Sequence, residues 1–234
     1  RGVNSIAITY TNNDYGKGLA DVFEAAFTSG GGEVTAVASH EDGKADYSSE
    51  VGVLGSAGGD ALVVIGYLDQ GGKGMIEAAL DSGSFDLFVL SDGMIGQSIA
   101  DAIGADLNGS FGSLPGTVSD GAKKFASISG EVDATAPYTG ESYDAAALIV
   151  LAMQAGGSAD RLSVVSNIKR VANAPGEQIF PGELAKGLEI LAAGGDIDYQ
   201  GATDVELSTF GDAAGSFKEM EVQGGKFEMV QVRQ

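Results

Sequence analysis

Short apolar segments alternate with amphipathic ones along the first 96 residues of the chain. Four apolar segments have the length and composition of buried strands: SIAITY from residue 5, VTAVAS from residue 34, ALVVIG from residue 61 and LFVLS from residue 87. The intervals between them leave room for a helix and two short loops, which is what parallel neighbouring strands require. The pattern therefore predicts an α/β fold built on a parallel sheet.

Amphipathic helices are predicted between these strands. After the first strand, apolar residues recur at helical spacing, and we expect this stripe to lie on the sheet. Similar stripes follow the third and fourth strands, at residues 75–80 and 95–103. All three stripes are interpreted as core. The first stripe consists of Leu19, Val22, Phe23, Ala26 and Phe27.

The alternation changes after residue 104. Residues 109–116, GSFGSLPG, form a short extended segment at which we expect the chain to cross into a second body. Residues 120–194 are predicted to be almost wholly helical, without a convincing strand. The tail is predicted to return to β structure as a small meander or hairpin, with strands at residues 205–207, 217–222 and 226–232.

Composition narrows the classes of partner. The 234 residues include 33 acidic and 13 basic side chains, for a formal net charge of -20. Such a charge repels nucleic-acid backbones, so no nucleic-acid partner is expected. The chain has no cysteine, which excludes disulfides and thiolate metal sites. No metal or cofactor is expected.

The loops after the four predicted strands are the candidate binding region. In open parallel sheets, ligands bind in the crevice outside the carboxyl ends of the strands. These loops are TNNDYGKG, HEDG, YLDQGG and DGMIG, and they present Tyr15, His40, Tyr67 and Asp92.

A resemblance covers essentially the whole chain. In order, TNNDYGKG, ALVVIGYLDQGG, FVLSDGM, ESYDAAALIVLA and GDIDYQGATDVEL resemble the branched-chain amino-acid-binding family of ABC-transporter receptors, the type I periplasmic binding proteins. The resemblance implies two Rossmann-like lobes with a ligand between them. It assigns residues 1–114 to the second lobe and residues 115–198 to the helical part of the first lobe, and it returns residues 199–234 to the second lobe. It also implies that the family's amino-terminal segment, which forms the sheet of the first lobe, is missing, so that the first lobe is incomplete.

The same resemblance implies the site residues. Asp92, in the SDGM turn, matches the residue that pairs with a ligand ammonium group, and Tyr15 and Tyr67 match the tyrosines of the cleft. Elementary chemistry agrees, because a carboxylate in a partly dry crevice makes charge-assisted hydrogen bonds to an amine. A tyrosine ring supplies apolar area with one polar group.

Each assignment has a structural alternative. Asp92 could cap a helix that starts near Ile95, and Tyr15 and Tyr67 could pack over the strand ends without touching a ligand. His40 is the only histidine in the chain. A lone imidazole in a loop is expected to be solvated rather than catalytic or metal-binding.

By this resemblance we expect a non-enzymatic receptor of an ABC importer. It would bind a small, mainly aliphatic amino acid and deliver it to a membrane permease. The resemblance implies a periplasmic location, although neither a signal peptide nor the amino-terminal segment is visible in the chain. A sensing domain of the same fold is the alternative. The helices of the first lobe would lack their sheet, so self-association through their exposed faces is expected.

Overall fold

The computed structural model describes residues 1–213 and 215–233 of the chain. The chain divides into two compact units. The first unit is formed by Arg1–Leu114 together with Lys218–Gln231, and the second by Pro115–Phe217 together with Val232 and Arg233.

The first unit is built on the predicted parallel sheet. Its seven strands lie in the order β2-β1-β3-β4-β5-β8-β9, and the pairs from β2 to β5 are parallel. The α/β fold class is therefore confirmed. The strands are β1 (Ser5–Thr11), β2 (Glu33–His40), β3 (Ala61–Ile65), β4 (Phe88–Leu90), β5 (Phe111–Pro115), β8 (Phe217–Gln223) and β9 (Lys226–Arg233). The helices are α1 (Asp14–Ser29), α2 (Ser48–Ala57), α3 (Lys73–Ser82) and α4 (Gln97–Ile103).

Burial explains why these segments form the sheet. All five residues of β3 are buried, as a central parallel strand covered on both faces requires. Helix α1 packs on one face through Leu19, Ala20, Phe23 and Phe27. The predicted stripe was wrong at one edge, since Val22 is 67% exposed and Ala26 is exposed as well. The buried face is centred on Ala20 instead, about 200° around the helix from Val22 at 100° per residue.

The second unit is mainly helical. It contains α5 (Asp120–Ile128), α6 (Thr139–Gly156), α7 (Arg161–Ala172) and α8 (Leu184–Ala192), and two short strands, β6 (Glu177–Ile179) and β7 (Ile197–Tyr199), that pair in parallel. The prediction that residues 120–194 contain no strand was wrong at β6. Only Ile179 of that three-residue strand is buried, so no period-two pattern marks it in the sequence.

The tail differs from its prediction in one way. Residues 205–207 form no strand, and the structure shows only an isolated bridge between Leu207 and Ala213. The predicted strands at residues 217–222 and 226–232 are confirmed as β8 and β9, which are neighbours and extend the main sheet beyond β5. Within the described residues, the sole candidate for a membrane span is the pair α6 and α7, which is bent by 106°; no single helix is long and apolar enough.

Candidate functional site

The strand order creates a switch point between β1 and β3. The chain moves outward from β1 to β2 on one side and from β3 to β4 and β5 on the other. In doubly wound sheets of this order, a crevice opens at the carboxyl ends of the two strands that flank the switch point. Tyr15 follows β1 and Tyr67 follows β3, so the order of the strands brings both tyrosines to this crevice.

Local structure holds each tyrosine in place. Tyr15 lies in the first turn of α1, where the side chain of Asn13 caps the helix by accepting a hydrogen bond of 2.8 Å from the Gly16 amide. Tyr67 precedes a π-helical turn, and its carbonyl accepts from the amides of Gln70, Gly71 and Gly72. The two rings stack with centroids 5.3 Å apart and an interplanar angle of 29°.

Asp92 joins this pair. The Tyr15 hydroxyl donates a hydrogen bond of 2.6 Å to Asp92 Oδ1 and lies 3.2 Å from Ser91 Oγ. Ser91 Oγ also accepts from the Gly66 amide at 3.3 Å. Burial, reinforced by the hydrogen bond to Asp92, raises the pKa of Tyr15 to about 12. The structure therefore brings the three predicted site residues into one partly buried group, called here the strand-end cluster.

The position of Asp92 argues against its structural alternative. Helix α4 begins at Gln97, and its N-cap residue is Gly96, without a side-chain cap. Asp92 instead opens a short 3-10 turn that ends at Met94. The next residue, Gly93, approaches the neighbouring loop closely, because a Cβ there would lie 2.4 Å from the Gly66 carbonyl oxygen. Packing of the loops after β3 and β4 thus brings the Asp92 carboxylate close to the tyrosines.

His40 differs from its prediction. It is only 1% exposed, because β2 continues to residue 40 and the loop begins after it. Its Nδ1 lies 2.8 Å from Thr9 Oγ1, whereas its buried Nε2 has no hydrogen-bond partner among the described residues. Burial lowers the pKa of His40 below its ordinary value. The expectation of a solvated imidazole was therefore wrong.

The strand-end cluster has the chemistry to bind an amine beside an apolar group. A carboxylate beside two aromatic rings can accept hydrogen bonds from an ammonium group, while the rings supply apolar contact area. Within residues 1–213 and 215–233, no group of three or more His, Cys, Asp and Glu side chains is arranged to hold a metal ion.

The sheet order and the strand-end cluster define a type I periplasmic binding fold. Residues 1–186 match the sequence model of the periplasmic binding protein family, and the chain belongs to this family. Family members are solute-binding proteins.

Solved structures share the fold. The leucine-binding protein LivK from Thermotoga maritima is similar with a TM-score of 0.76 and 21% identity, over 99% of this chain and 61% of that one. LivJ from Streptococcus pneumoniae, solved with isoleucine, has a TM-score of 0.71 and 18% identity, over 99% of this chain and 60% of that one. A solute-binding protein from R. palustris, solved with 4-hydroxybenzoate, has a TM-score of 0.73 and 16% identity, over 100% of this chain and 61% of that one.

One curated relative has a sensory role. The chemotactic signal transduction system substrate-binding protein BasB of Halobacterium salinarum is 25% identical over 217 residues, which are 88% of this chain and 48% of that protein. The chain thus spans about half the length of this relative.

Proposed function

We propose that this chain belongs to a solute-binding receptor that is not an enzyme and that binds a small amino acid. The strand-end cluster carries the proposal. Asp92 would accept hydrogen bonds from the ligand ammonium group, and Tyr15 and Tyr67 would form the wall beside it. The position of the cluster at the switch point of a doubly wound sheet supports this role.

Aliphatic amino acids are the proposed ligand class. LivK is named as a leucine-binding protein and LivJ was solved with isoleucine, whereas the R. palustris protein was solved with an aromatic acid. The carboxylate of Asp92 distinguishes amino acids from aromatic acids. It attracts the ammonium group that an amino acid carries, and it repels the carboxylate of an acid that has no amine. A zwitterion is therefore favoured over 4-hydroxybenzoate.

Delivery to an ABC permease is the proposed use of the bound ligand, in the periplasm or an equivalent space outside the cytoplasmic membrane. Sensing is the second candidate, and the chemotactic relative from Halobacterium salinarum favours it. Both roles use the same ligand site. They differ in the partner that recognises the liganded protein.

The two units correspond, in this proposal, to parts of two lobes. Residues 1–114 with the tail would be the second lobe, and residues 115–198 the helical part of the first. The helices of the second unit carry exposed apolar side chains, among them Leu162 at 79% and Val165 at 65% exposure. Such side chains favour self-association of the 234-residue chain.

Calorimetry tests the ligand class. L-Leucine, L-isoleucine, L-valine and L-alanine are titrated into the 234-residue chain and into any longer protein that contains it. 4-Hydroxybenzoate and glucose serve as amine-free comparisons. We expect at least one aliphatic amino acid to bind the longer protein, and the isolated chain to bind more weakly. Binding of the amine-free compounds alone would contradict the proposal.

Light scattering tests the self-association. The chain is compared with Val165→Asp, which places a charge on the apolar face of α7, and with Val22→Asp on α1 as a matched control. We expect the wild type and the control to form dimers or larger species, and Val165→Asp to shift the distribution toward monomer. A wild-type chain that is monomeric at all concentrations would refute this part of the proposal.

A further inference from the structure

The only histidine of the chain lies at the centre of three strand-end loops. His40 ends β2, and its carbonyl accepts a hydrogen bond of 2.9 Å from the amide of Asn12 in the loop after β1. Its ring meets Tyr47, in the loop after β2, edge-on with centroids 6.0 Å apart. The loop after β3 supplies two further neighbours, Gly66 and Gly71.

The imidazole fills the space beside the segment that carries Tyr67. A Cβ on Gly66 would lie 3.2 Å from His40 Nε2, and a Cβ on Gly71 would lie 3.0 Å from His40 Cδ2. Neither position has room for a side chain beside the ring, and at Gly71 the Tyr47 hydroxyl, 2.9 Å from the same Cβ position, fills part of this space as well. The segment is also held by a hydrogen bond of 2.8 Å from the Gly43 amide, in the loop after β2, to the Gln70 carbonyl. Tyr67 lies between Gly66 and Gly71 in the sequence, and both glycines contact the His40 ring. A displacement of the ring would therefore also move Tyr67.

The protonation state of the ring matters because His40 Nε2 is buried and has no hydrogen-bond partner among the described residues. A neutral imidazole at this place leaves one weakly polar atom unsatisfied. An imidazolium has N–H donors on both nitrogens and a charge, and burial of an unpaired charge is costly.

Carboxylates near His40 favour the imidazolium and so reduce the cost of burying its charge, but they do not remove that cost. Asp42, Glu50 and Glu41 favour the charged ring, in that order, but desolvation outweighs them. Two other elements pack on the ring. Strand β1 contributes Thr9, and the segment that carries Tyr67, residues 66–71, contributes Gly66 and Gly71; none of these residues is charged. Asp69 of that segment is exposed to solvent, and Tyr47 presents its ring.

We propose that His40 is a positioning residue for the strand-end cluster: its neutral ring supports the segment that holds Tyr67 against Tyr15, and its protonation displaces that segment and weakens ligand binding at acid pH. The part that concerns the ligand rests on the proposed function. The part that concerns the segment does not.

The direction of the pH effect follows from burial. Because the pKa of His40 is lowered below 6.5 in the folded protein, the unfolded chain binds the proton more readily. The contribution of the neutral ring to stability is therefore fully present above about pH 6.5. It is lost as the pH falls from there through the folded-state pKa.

NMR on the wild-type chain tests the first part without any substitution. A chain with one histidine gives one set of imidazole signals, so the titration of His40 is read directly. We expect a midpoint below about pH 6.5, and we expect the amide signals of Gly66 and Gly71 and the ring signals of Tyr67 to shift with the same midpoint. An ordinary midpoint, or a titration of His40 that leaves these three residues unchanged, would overturn the proposal.

Two variants sharpen the result. Asp42→Asn removes the carboxylate that most favours the charged ring, so the His40 midpoint should move to lower pH; Asp21→Asn on α1 is the matched control and should leave it unchanged. His40→Gln keeps a polar group near Thr9 but does not titrate. In that variant, the shifts of the Gly66 and Gly71 amides between about pH 7.5 and 5.5 should disappear.

Calorimetry with L-leucine tests the second part. Between pH 7.5 and one pH unit below the His40 midpoint measured by NMR, the wild-type protein should lose up to about tenfold in affinity, and His40→Gln less than twofold. An equal loss of affinity in both proteins would overturn the role of His40 in binding. If leucine does not bind, L-isoleucine, L-valine and L-alanine replace it in the same comparison; absence of binding by all four would refute the proposed ligand class, and the NMR titration would still decide the positioning role.

Discussion

The Tyr15 hydroxyl donates a hydrogen bond of 2.6 Å to Oδ1 of Asp92. Tyr15 follows β1 and Asp92 follows β4, and β3 lies between these two strands in the sheet. The bond therefore connects loops that are two strands apart. Its length is within the range of O–H···O⁻ hydrogen bonds, which are among the stronger ones in proteins. The bond fixes the orientation of the carboxylate toward the tyrosine pair.

Neutralising Asp92 should weaken binding of an amine-bearing ligand. Asp92→Asn keeps an oxygen that can accept from Tyr15, so the fold should persist while the charge is lost. We expect affinity for a bound amino acid to fall more than tenfold, which corresponds to at least about 1.4 kcal/mol. Calorimetry measures the loss, and the exposed Asp81→Asn is the control. An unchanged affinity would leave Asp92 with a structural role only.

The Tyr15 hydroxyl should ionise at a higher pH than an ordinary tyrosine. Because its folded-state pKa is raised to about 12 from 10.0, the native state loses stability as the pH rises through this range. Absorbance of the phenolate during an alkaline titration, taken as the difference between the wild type and Tyr15→Phe, isolates this group. Tyr10→Phe is the control. In Asp92→Asn the pKa of Tyr15 should fall, since the hydrogen bond to a carboxylate is lost. A midpoint near 10 in the wild type would contradict the effect that we assign to burial and to this hydrogen bond.

Truncation of Tyr67 should act through contact area. Tyr67→Ala removes the ring stacked on Tyr15, whereas Tyr67→Phe keeps the ring and removes only the hydroxyl. For a ligand that contacts the ring, we expect Tyr67→Ala to lose about 1 to 2 kcal/mol of binding free energy and Tyr67→Phe less than half of that. Titration calorimetry compares the three proteins. Equal losses in both variants would assign the effect to the hydroxyl.

The second unit contains a buried carboxylate with four donors. Asp144, on α6, is 3% exposed. It accepts from the Tyr199 hydroxyl at 2.8 Å, from the amides of Ala202 and Thr203 at 2.8 Å each, and from the Thr203 hydroxyl at 2.7 Å. These bonds tie the turn after β7 to α6.

Asp144→Asn should therefore destabilise the second unit. The amide nitrogen would face donors that it cannot accept from, and we expect a loss of about 3 kcal/mol in the free energy of unfolding. Urea unfolding followed by circular dichroism measures it. Glu189→Gln, on the exposed side of α8, is the control and should change stability by less than about 0.5 kcal/mol. A loss as small as that of the control would show that the turn does not depend on Asp144.

Salt should stabilise the chain as a whole. Its net charge of -20 produces self-repulsion, which is screened as the Debye length falls from about 30 Å at 0.01 M salt to about 3 Å at 1 M. We expect the urea midpoint to rise over this range, equally in NaCl and KCl, because screening depends on ionic strength. A midpoint that falls with salt would mean that ion pairs outweigh the repulsion.

Much of the site was predictable because it depends on the ends of strands. Apolar runs mark β1, β3 and β4 without knowledge of the fold, and the carboxyl ends of parallel strands share one edge of the sheet. The residues after these runs, Tyr15, Tyr67 and Asp92, could therefore be selected from the sequence and its family resemblance, although their binding roles remain predictions.

Other features depended on neighbours distant in the sequence. A three-residue strand such as β6 shows no periodicity, and it exists because β7 pairs with it. The burial of His40 could not be read locally either, since the groups that cover it come from β1 and from the loop after β3.

The sequence by itself thus determined the order and type of the long elements, because hydrophobic periodicity is a local property. Only the tertiary structure decided which strand ends meet, that the Tyr15 hydroxyl reaches Asp92, and that the single imidazole lies buried beside the Tyr67 segment. Those outcomes depend on strand order and loop packing, and each is set by contacts between residues dozens of positions apart.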